Sequence, residues 1–227
     1  MKRTNDHSPE EIEVLQRRAV RYYDWLAHIY DVCAGNWYYG RARRVAIEQL
    51  QLKDGDTVLN VPCGTGQNYS MFQEYLNQSG LIIGIDLSTG MLGKAINKTV
   101  ANNWRNVLNV VGDATQITPN WIVEHIDRPV QADAVLCDLG LSGFPEWENT
   151  IDNLLSILKP NGRFVIMDWY IPKWTLRGAF MKWIGKGEVD RPLYQYLETK
   201  VANFSVNLTF CRGGVFVASG DQKELLP

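Results

Sequence analysis

Features of membrane-spanning, secreted and zinc-binding proteins are missing from this sequence. No stretch approaches the roughly 18 consecutive apolar residues of a transmembrane helix. The four cysteines form no C-x-x-C pair and the three histidines are scattered, so no metal site is expected. The polar stretch 1–11 lacks the apolar core of a signal peptide, which predicts a cytoplasmic location.

A strong charge of either sign is missing as well. The net charge of −2 argues against a nucleic-acid partner. With 45% apolar and 21% charged residues the chain has the composition of a folded protein, and 227 residues suit one domain better than two. We predict a single domain, 1–227, in which residues 1–52 form an N-terminal helical cap and residues 53–227 form the core. The sequence leaves the oligomeric state open.

The sequence does contain a regular alternation of apolar strands and amphipathic helices. The run Ser8-Pro9-Glu10-Glu11 is a capping box that opens a first helix. Strands are expected at 57–61, 81–85, 107–111, 132–137 and 163–169, and further helices at 39–50, 67–77, 91–100, 147–158 and 174–184. Two segments around "CRGG", 204–210 and 215–219, predict a C-terminal antiparallel hairpin. The pattern predicts an α/β fold, with a Rossmann-like, open, seven-stranded and mostly parallel sheet covered by helices on both faces.

Three loops that follow expected strands carry candidate ligand-binding residues. Gly64 and Gly66, in "VLNVPCGTGQN", let the backbone turn sharply and approach a ligand. Asp86 ends the second strand, 22 residues beyond Gly64, where an acid can accept hydrogen bonds from two ribose hydroxyls. In "GDA", Asp113 can accept from an exocyclic amine and the Ala114 N–H can donate to a ring nitrogen. Each motif is weak alone, but together they form a nucleoside-shaped site.

These motifs occur in the order and at the spacing of a known family. With "LKPNGRFVIMDW" at the fifth expected strand, they resemble the class I S-adenosylmethionine-dependent methyltransferases over roughly residues 54–169. The resemblance implies a transferase whose cofactor is S-adenosyl-L-methionine. A dinucleotide oxidoreductase is the competing interpretation, which Tyr69 weakens because no full G-x-G-x-x-G is present.

The resemblance also implies which residues form the site. Cofactor-binding positions are Tyr30, Arg41, Asn60, Pro62, Gly64, Gly66, Asn68, Asp86, Leu87, Met91, Asp113, Ala114 and Asp138. Catalytic positions are Asp138, Tyr30 and Tyr38. Among the aromatic residues, Tyr22, Tyr23, Trp37 and Tyr38 could wall the site, although core packing is an equal alternative for each. An acceptor amine must lose its proton before attack, and Asp138, Asp168 and Tyr170 follow the fourth and fifth strands.

The flanking segments resemble one branch of this family. "HIYDVCAGNWYYGRARR" and "LGLSGFPEW" are similar to enzymes that N-methylate the amine headgroups of bacterial lipids. That similarity implies contacts from Tyr30 and Arg41 to the methionine end of the cofactor. An arginine fork suits a carboxylate, while a solvated helix face is the alternative interpretation of Arg41, Arg43 and Arg44. The acceptor is therefore expected to be a small molecule or a lipid headgroup.

Asn60 departs from the family pattern, which places an acid there opposite the α-ammonium of the cofactor. Asn60 can accept a hydrogen bond but carries no charge, and losing a charged bond weakens affinity by about 1–2 kcal/mol. One interpretation is compensation by other contacts, such as Asp138. The alternative is chemistry on the aminocarboxypropyl arm, by transfer or by ring closure to azetidine-2-carboxylate, with release of methylthioadenosine. A third hypothesis is a binding module without catalysis.

The segment 173–186 bears on the nature of the acceptor. In "KWTLRGAFMKWIGK" the apolar residues fall on one helical face and four basic residues fall elsewhere. This pattern is typical of an interfacial helix that contacts a membrane surface. A surface helix packed on the sheet is the ordinary alternative.

Overall fold

The computed structural model describes residues 9–27, 35–127, 129–173, 175–185 and 187–223. Its sheet has seven strands, and the first five are parallel neighbours. The strands are β1 (Thr57–Asn60), β2 (Leu81–Asp86), β3 (Val107–Val111), β4 (Ala132–Asp138), β5 (Leu158–Trp169), β6 (Ala202–Phe210) and β7 (Val215–Asp221). The helices are α1 (Pro9–Leu26), α2 (Asn36–Gln49), α3 (Tyr69–Leu76), α4 (Thr89–Ala101), α5 (Pro119–Ile126), α6 (Trp147–Ile157), α7 (Leu176–Gly185) and α8 (Leu193–Lys200).

The strand order is β3-β2-β1-β4-β5-β7-β6. Strands β1 to β3 are added toward one edge of the sheet and the strands from β4 onward toward the other edge, so the strand order reverses between β1 and β4. Strand β7 runs antiparallel to both β5 and β6, which is the predicted C-terminal hairpin. Open sheets of this kind bind ligands beyond the carboxyl ends of the strands at the reversal. This topology confirms the predicted fold class.

Buried side chains form one core on each face of the sheet. Residues of α2, α3 and α4, such as Ile47, Phe72 and Leu92, pack on one face. Residues of α5, α6 and α8, such as Ile122, Leu154 and Leu197, pack on the other. The inner strands are therefore buried on both faces, which explains their nearly continuous apolar sequences.

The predicted elements are present, and the differences have local causes. Helix α5 was not predicted, although Thr118 caps it and Pro119 opens it. Helix α8 was not predicted either, because its eight residues show too few apolar repeats to define a period. Strand β5 begins at Leu158, five residues earlier than expected, with a register shift against β4. In the part of the chain that the structure describes, no helix combines the length and hydropathy needed to cross a membrane.

Candidate active site

A cavity opens beyond the carboxyl ends of β1, β2, β3 and β4, at the reversal in strand order. Its walls include the turn after β1, the loops after β2 and β3, and the segment that follows β4. Helix α1 adds Val20 and Tyr23 from the N-terminal side. The cavity therefore lies where the motifs predicted it.

The glycine turn after β1 is shaped by two left-handed residues. Gly64 and Gly66 have φ values of 54° and 71°, where a side chain would be strained. Tyr69 occupies the position of the third glycine in a dinucleotide fingerprint. It is fully buried, and its hydroxyl donates to Asn109 Oδ1 at 2.8 Å. Space for its ring comes from Gly84 on β2, where a Cβ atom would lie 1.8 Å from the Tyr69 hydroxyl.

Asp86 joins the glycine turn to the loop after β2. Its two carboxylate oxygens accept from Gly64 N at 2.8 Å and from Ser88 N at 2.9 Å. Burial raises the pKa of Asp86 to about 6, and Asp24 adds to this rise, while the N–H groups of Ser88 and Gly64 oppose it. The carboxylate lines the cavity with its backbone partners already in place, so it is positioned to accept from further donors.

The loop after β3 presents Asp113 and Ala114 to the same cavity. One Asp113 oxygen accepts from the N–H and the hydroxyl of Thr115, both at 2.9 Å. These bonds cap the short 3-10 turn Ala114–Gln116 and fix the direction of the loop. The structure thus brings the three predicted nucleoside-binding loops together.

A buried polar network lies at the other end of the cavity. Asp138, at the end of β4, accepts from Arg43 Nε at 2.9 Å and from Asn68 Nδ2 at 3.1 Å. Arg43 also donates to Gln67 Oε1 at 2.8 Å and is only 2% exposed. Two buried acceptors, Asn68 Oδ1 and Asp138 Oδ1, have no hydrogen-bond partner among the residues that the structure describes. Such unsatisfied buried oxygens are costly, and a ligand with several N–H donors would satisfy them.

Asn60 belongs to the scaffold of this network and is not among the residues that line the cavity. Its amide nitrogen lies 3.3 Å from the carbonyl oxygens of Pro62 and Leu136, and its Oδ1 accepts from Asn68 at 3.1 Å. A carboxylate at this position could not donate to those two carbonyls. The Asn60 amide therefore makes contacts that a carboxylate could not make, and the carboxylate of this network belongs to Asp138, at the end of the neighbouring strand β4.

Helix α1 is fastened over the cavity by Asp24. One carboxylate oxygen of Asp24 accepts from Ser88 Oγ at 2.6 Å and from Gly90 N at 2.8 Å, at the N-terminal end of α4. This contact holds Tyr23 in the cavity wall. Burial, Tyr22 and the carboxylates of Asp86 and Asp168 raise the pKa of the Tyr23 phenol. Tyr23 therefore keeps its proton near neutral pH and can donate, but it cannot serve as a base.

The segment after β4 forms another part of the cavity wall. It contributes Leu139, Gly140, Gly143, Phe144 and Pro145, and we call it the acceptor wall, residues 139–145. Buried Asp168 supports it from β5, with oxygens that accept from Ser142 N at 3.0 Å and Trp169 N at 2.7 Å. Burial raises the pKa of Asp168 to about 6 despite these N–H groups, and Asp138 adds to the rise. Asp168 thus positions the wall and is not among the lining residues.

Most of the predicted site residues reach the cavity. The lining includes Pro62, Gly64, Asn68, Asp86, Leu87, Met91, Asp113, Ala114 and Asp138. Gly66 shapes the turn without lining the cavity, and Tyr30 lies outside the described residues. The absence of a side chain at Gly140 leaves space for Pro62, because a Cβ atom at position 140 would lie 2.4 Å from the Pro62 ring.

Besides Asn60 and Gly66, two further predicted residues do not line the cavity. Arg41 is exposed and Tyr38 packs against Trp37 and Tyr39, so neither is among the lining residues. Helix α2 buries positions 39, 42, 43, 46, 47 and 50, which form one stripe at helical spacing. Arg43 lies on that stripe and Arg41 does not. The period of α2 was therefore the signal that could have identified Arg43 in place of Arg41.

Comparisons with known proteins agree with this geometry. The family model described as "Methyltransferase domain" matches residues 52–197. A demethylmenaquinone methyltransferase of Symbiobacterium thermophilum is 26% identical over 187 residues, covering 78% of this chain and 68% of its own. A 2-phytyl-1,4-naphtoquinone methyltransferase of Synechococcus elongatus is 27% identical over 170 residues, covering 70% and 67%.

Two solved structures share the fold at low sequence identity. The [4+2]-cyclase SpnF superposes with a TM-score of 0.71 at 15% identity, covering 92% of this chain and 96% of its own. Phosphoethanolamine N-methyltransferase 2 of Haemonchus contortus, in complex with S-adenosyl-L-methionine, gives 0.70 at 15% identity, covering 94% and 60%. These likenesses support the architecture and leave the acceptor open.

Proposed function

This chain belongs to the methyltransferase-domain family, and from that premise we propose that it methylates a lipophilic acceptor of the quinone class in its reduced, hydroxyl-bearing form. The protein is an S-adenosylmethionine-dependent transferase. When bound, S-adenosylmethionine supplies an electrophilic methyl group. The remaining questions are how this chain holds the cofactor and what it presents to the methyl group.

The pair of unsatisfied buried oxygens carries the cofactor assignment. Asn68 Oδ1 and Asp138 Oδ1 are both buried in residues that line the cavity, and within the described part of the chain both lack a donor. An α-ammonium group has three N–H donors and a positive charge, so it fits this pair of acceptors. We infer that Asp138 is the ammonium ligand and takes the place of the acid that the family carries at position 60. Arg43 is within reach of the same end of the cavity and suits the cofactor carboxylate.

The other end of the cavity suits the nucleoside. Asp86 would accept from the ribose hydroxyls, Asp113 from the exocyclic amine, and the Ala114 N–H would donate to the ring. All three residues line the cavity. Calorimetric titration with S-adenosylhomocysteine tests this assignment, with Asp86→Ala and Asp113→Ala expected to weaken binding. An unchanged affinity in both variants would remove it.

The apolar acceptor wall supports a lipophilic acceptor. Phe144, Pro145 and Leu139 line the cavity together with Val20 and Tyr23, so much of its wall is apolar. A reduced naphthoquinone has an electron-rich ring that can accept a methyl group, and Tyr23 can orient one of its oxygens by donating a hydrogen bond. Two roles are predicted for Asp138, cofactor binding and removal of a proton from the methyl acceptor. Because Asp138 already accepts hydrogen bonds from Arg43 and Asn68, cofactor binding is the better supported of the two.

A lipid-amine acceptor remains a second candidate. The ring faces of Tyr23 and Phe144 lie in the same cavity as the Asp138 carboxylate, and such a combination can hold a methylated ammonium. Incubation with methyl-labelled cofactor and either a reduced naphthoquinone or phosphatidylethanolamine separates the two. We expect labelled naphthoquinol; labelled phospholipid alone would replace the quinone proposal with the lipid-amine one.

The alternative chemistry on the aminocarboxypropyl arm has a distinct product. Methyl transfer releases S-adenosylhomocysteine, whereas attack on the arm releases methylthioadenosine. The local role of Asn60 in bonding two carbonyls gives an explanation for its presence that does not need altered chemistry. Chromatography of the nucleoside products decides the matter, and methylthioadenosine as the enzymatic product would overturn methyl transfer.

A further inference from the structure

The outward face of α7 is an exposed apolar ridge. Leu176, Phe180 and Trp183 are 78%, 56% and 67% exposed and recur at i, i+4 and i+7, on one side of the helix. The rings of Phe180 and Trp183 lie beside each other, with centroids 6.3 Å apart. Three large apolar side chains grouped on one exposed helical face are typical of an interaction surface.

The charge around the ridge is one-sided. Residues 173–186 contain four basic residues and no acidic residue, within a chain whose net charge is −2. Lys173 and Lys182 are exposed beside the ridge. An apolar face with tryptophan, flanked by lysines, matches a bilayer interface that carries anionic lipids, because the rings enter the acyl boundary while lysines meet the headgroups.

The segment 187–191, which begins two residues after the end of α7, packs against the acceptor wall. Gly187 packs so closely on Ser142 that a Cβ atom would lie 3.0 Å from the Ser142 carbonyl. The Glu188 N–H donates to that same oxygen at 2.8 Å. Arg191 donates to the carbonyl oxygens of Leu141 and Phe144. Residues 187–191, which follow α7 closely in the sequence, are therefore held against the acceptor wall.

We propose that α7 docks this enzyme on an anionic lipid surface, beside the acceptor wall, so that a membrane-dissolved acceptor enters the cavity from the bilayer. The docking part rests on the ridge and its charge. The entry part rests on the proposed lipophilic acceptor.

Co-sedimentation with vesicles tests the docking. The full chain is mixed with phosphatidylcholine vesicles that contain or lack phosphatidylglycerol, at low and at high salt. We expect binding to the anionic vesicles at low salt, and weaker binding when the salt is raised or phosphatidylglycerol is left out.

Matched variants locate the surface. The ridge variant is Leu176→Ser/Phe180→Ser/Trp183→Ser, and the control is Ile96→Ser/Val100→Ser/Leu208→Ser, whose three apolar residues are also exposed. We expect the ridge variant to lose vesicle affinity by about tenfold or more, and the control to keep it. Lys173→Glu/Lys182→Glu should weaken binding by at least about fivefold per charge, whereas exposed Lys53→Glu should not. Calorimetry with S-adenosylhomocysteine verifies that each variant is folded.

The outcomes separate docking from the proposed reaction. If docking serves entry, the ridge variant loses turnover of a vesicle-embedded naphthoquinol and keeps turnover of a tail-less, water-soluble one. Absence of vesicle binding by the wild-type protein overturns docking, whatever the acceptor proves to be. A dimer that the ridge variant dissociates, without vesicle binding, would also overturn it and assign the ridge to a second copy. Vesicle binding without turnover of either quinol would support docking and reject the quinone acceptor.

Discussion

The two ends of the cavity are built in different ways. The end proposed for the nucleoside consists of short loops, each following its own strand, in which the carboxylates of Asp86 and Asp113 accept mainly from backbone N–H groups, including that of Gly64. The end proposed for the methionine part of the cofactor, called the methionine end below, is a side-chain network in which Arg43 of α2 and Asp138 of β4 meet across 95 residues of sequence. The backbone geometry of the loops therefore positions the groups at the nucleoside end, whereas the methionine end depends on buried charges that stabilise each other.

Removing Arg43 is the strongest way to break the methionine end. Arg43→Ala leaves Asp138 buried without its cation, and breaking a buried pair costs about 3–5 kcal/mol. Urea denaturation should show this loss in the free energy of unfolding. The neighbouring Arg44 is 60% exposed and lies 3.9 Å from Glu74, so Arg44→Ala should cost under about 1 kcal/mol. Equal losses in the two variants would contradict the importance of the buried pair.

The pH dependence of stability probes the support of the acceptor wall. Asp168 has a pKa of about 6 in the folded protein and 3.8 as the reference value for an exposed group. Between these values the folded state binds the extra proton, so the contribution of Asp168 to stability falls as pH rises from about 4 to 6, by up to about 3 kcal/mol.

Asp168→Asn has no such titration. Relative to wild type, the free energy of unfolding of this variant should therefore rise between pH 4 and pH 6 and level off above, on top of a constant offset from the altered bonds to Ser142 and Trp169. Urea denaturation across this range measures the difference curve. A flat difference would show that Asp168 does not carry the raised pKa.

Gly84 is the matching test for the nucleoside end. Gly84→Ala forces a methyl group against the buried Tyr69 ring, which should cost about 1–3 kcal/mol of unfolding free energy. Tyr69→Phe in the same chain removes the closest atom and should recover part of the loss. Gly93 in α4 has nothing within 4 Å of the added Cβ, so Gly93→Ala should stabilise by about 0.5–1 kcal/mol. Thermal denaturation of these three variants beside the wild-type protein is sufficient, and a harmless Gly84→Ala would refute this packing.

Restoring the acid of the family pattern should have the smallest effect. Asn60→Asp places a carboxylate against the carbonyls of Pro62 and Leu136 and should cost about 1–2 kcal/mol of stability without strengthening cofactor binding. Asn97→Asp, at an exposed position in α4, should change stability by less than about 0.5 kcal/mol. Calorimetry decides the functional half, since a gain in S-adenosylhomocysteine affinity would mean that position 60, and not Asp138, is the place for the charge.

The nucleoside end could be predicted because its information is local. Gly64, Asp86 and Asp113 each stand at the end of an apolar strand or within four residues of it, so parallel pairing alone brings them together. The methionine end could not be predicted in the same way. Positions 41 and 43 both carry arginine, and only the burial of one face of α2 distinguishes Arg43 from Arg41. The role of Asn60 likewise depends on the Leu136 carbonyl of a neighbouring strand, 76 residues away.

The alternation of strands and helices, the sheet type and the positions of the three loops proposed to bind the nucleoside follow from the sequence alone, because hydrophobic period and turn glycines act over a few residues. Tertiary structure decided where the charges lie. It buried Arg43 beside Asp138 and left Arg41 in solvent, and it turned Asn60 toward two carbonyls. A buried charge or amide contributes to stability only through its hydrogen-bond and ion-pair partners, and those partners come from distant parts of the chain.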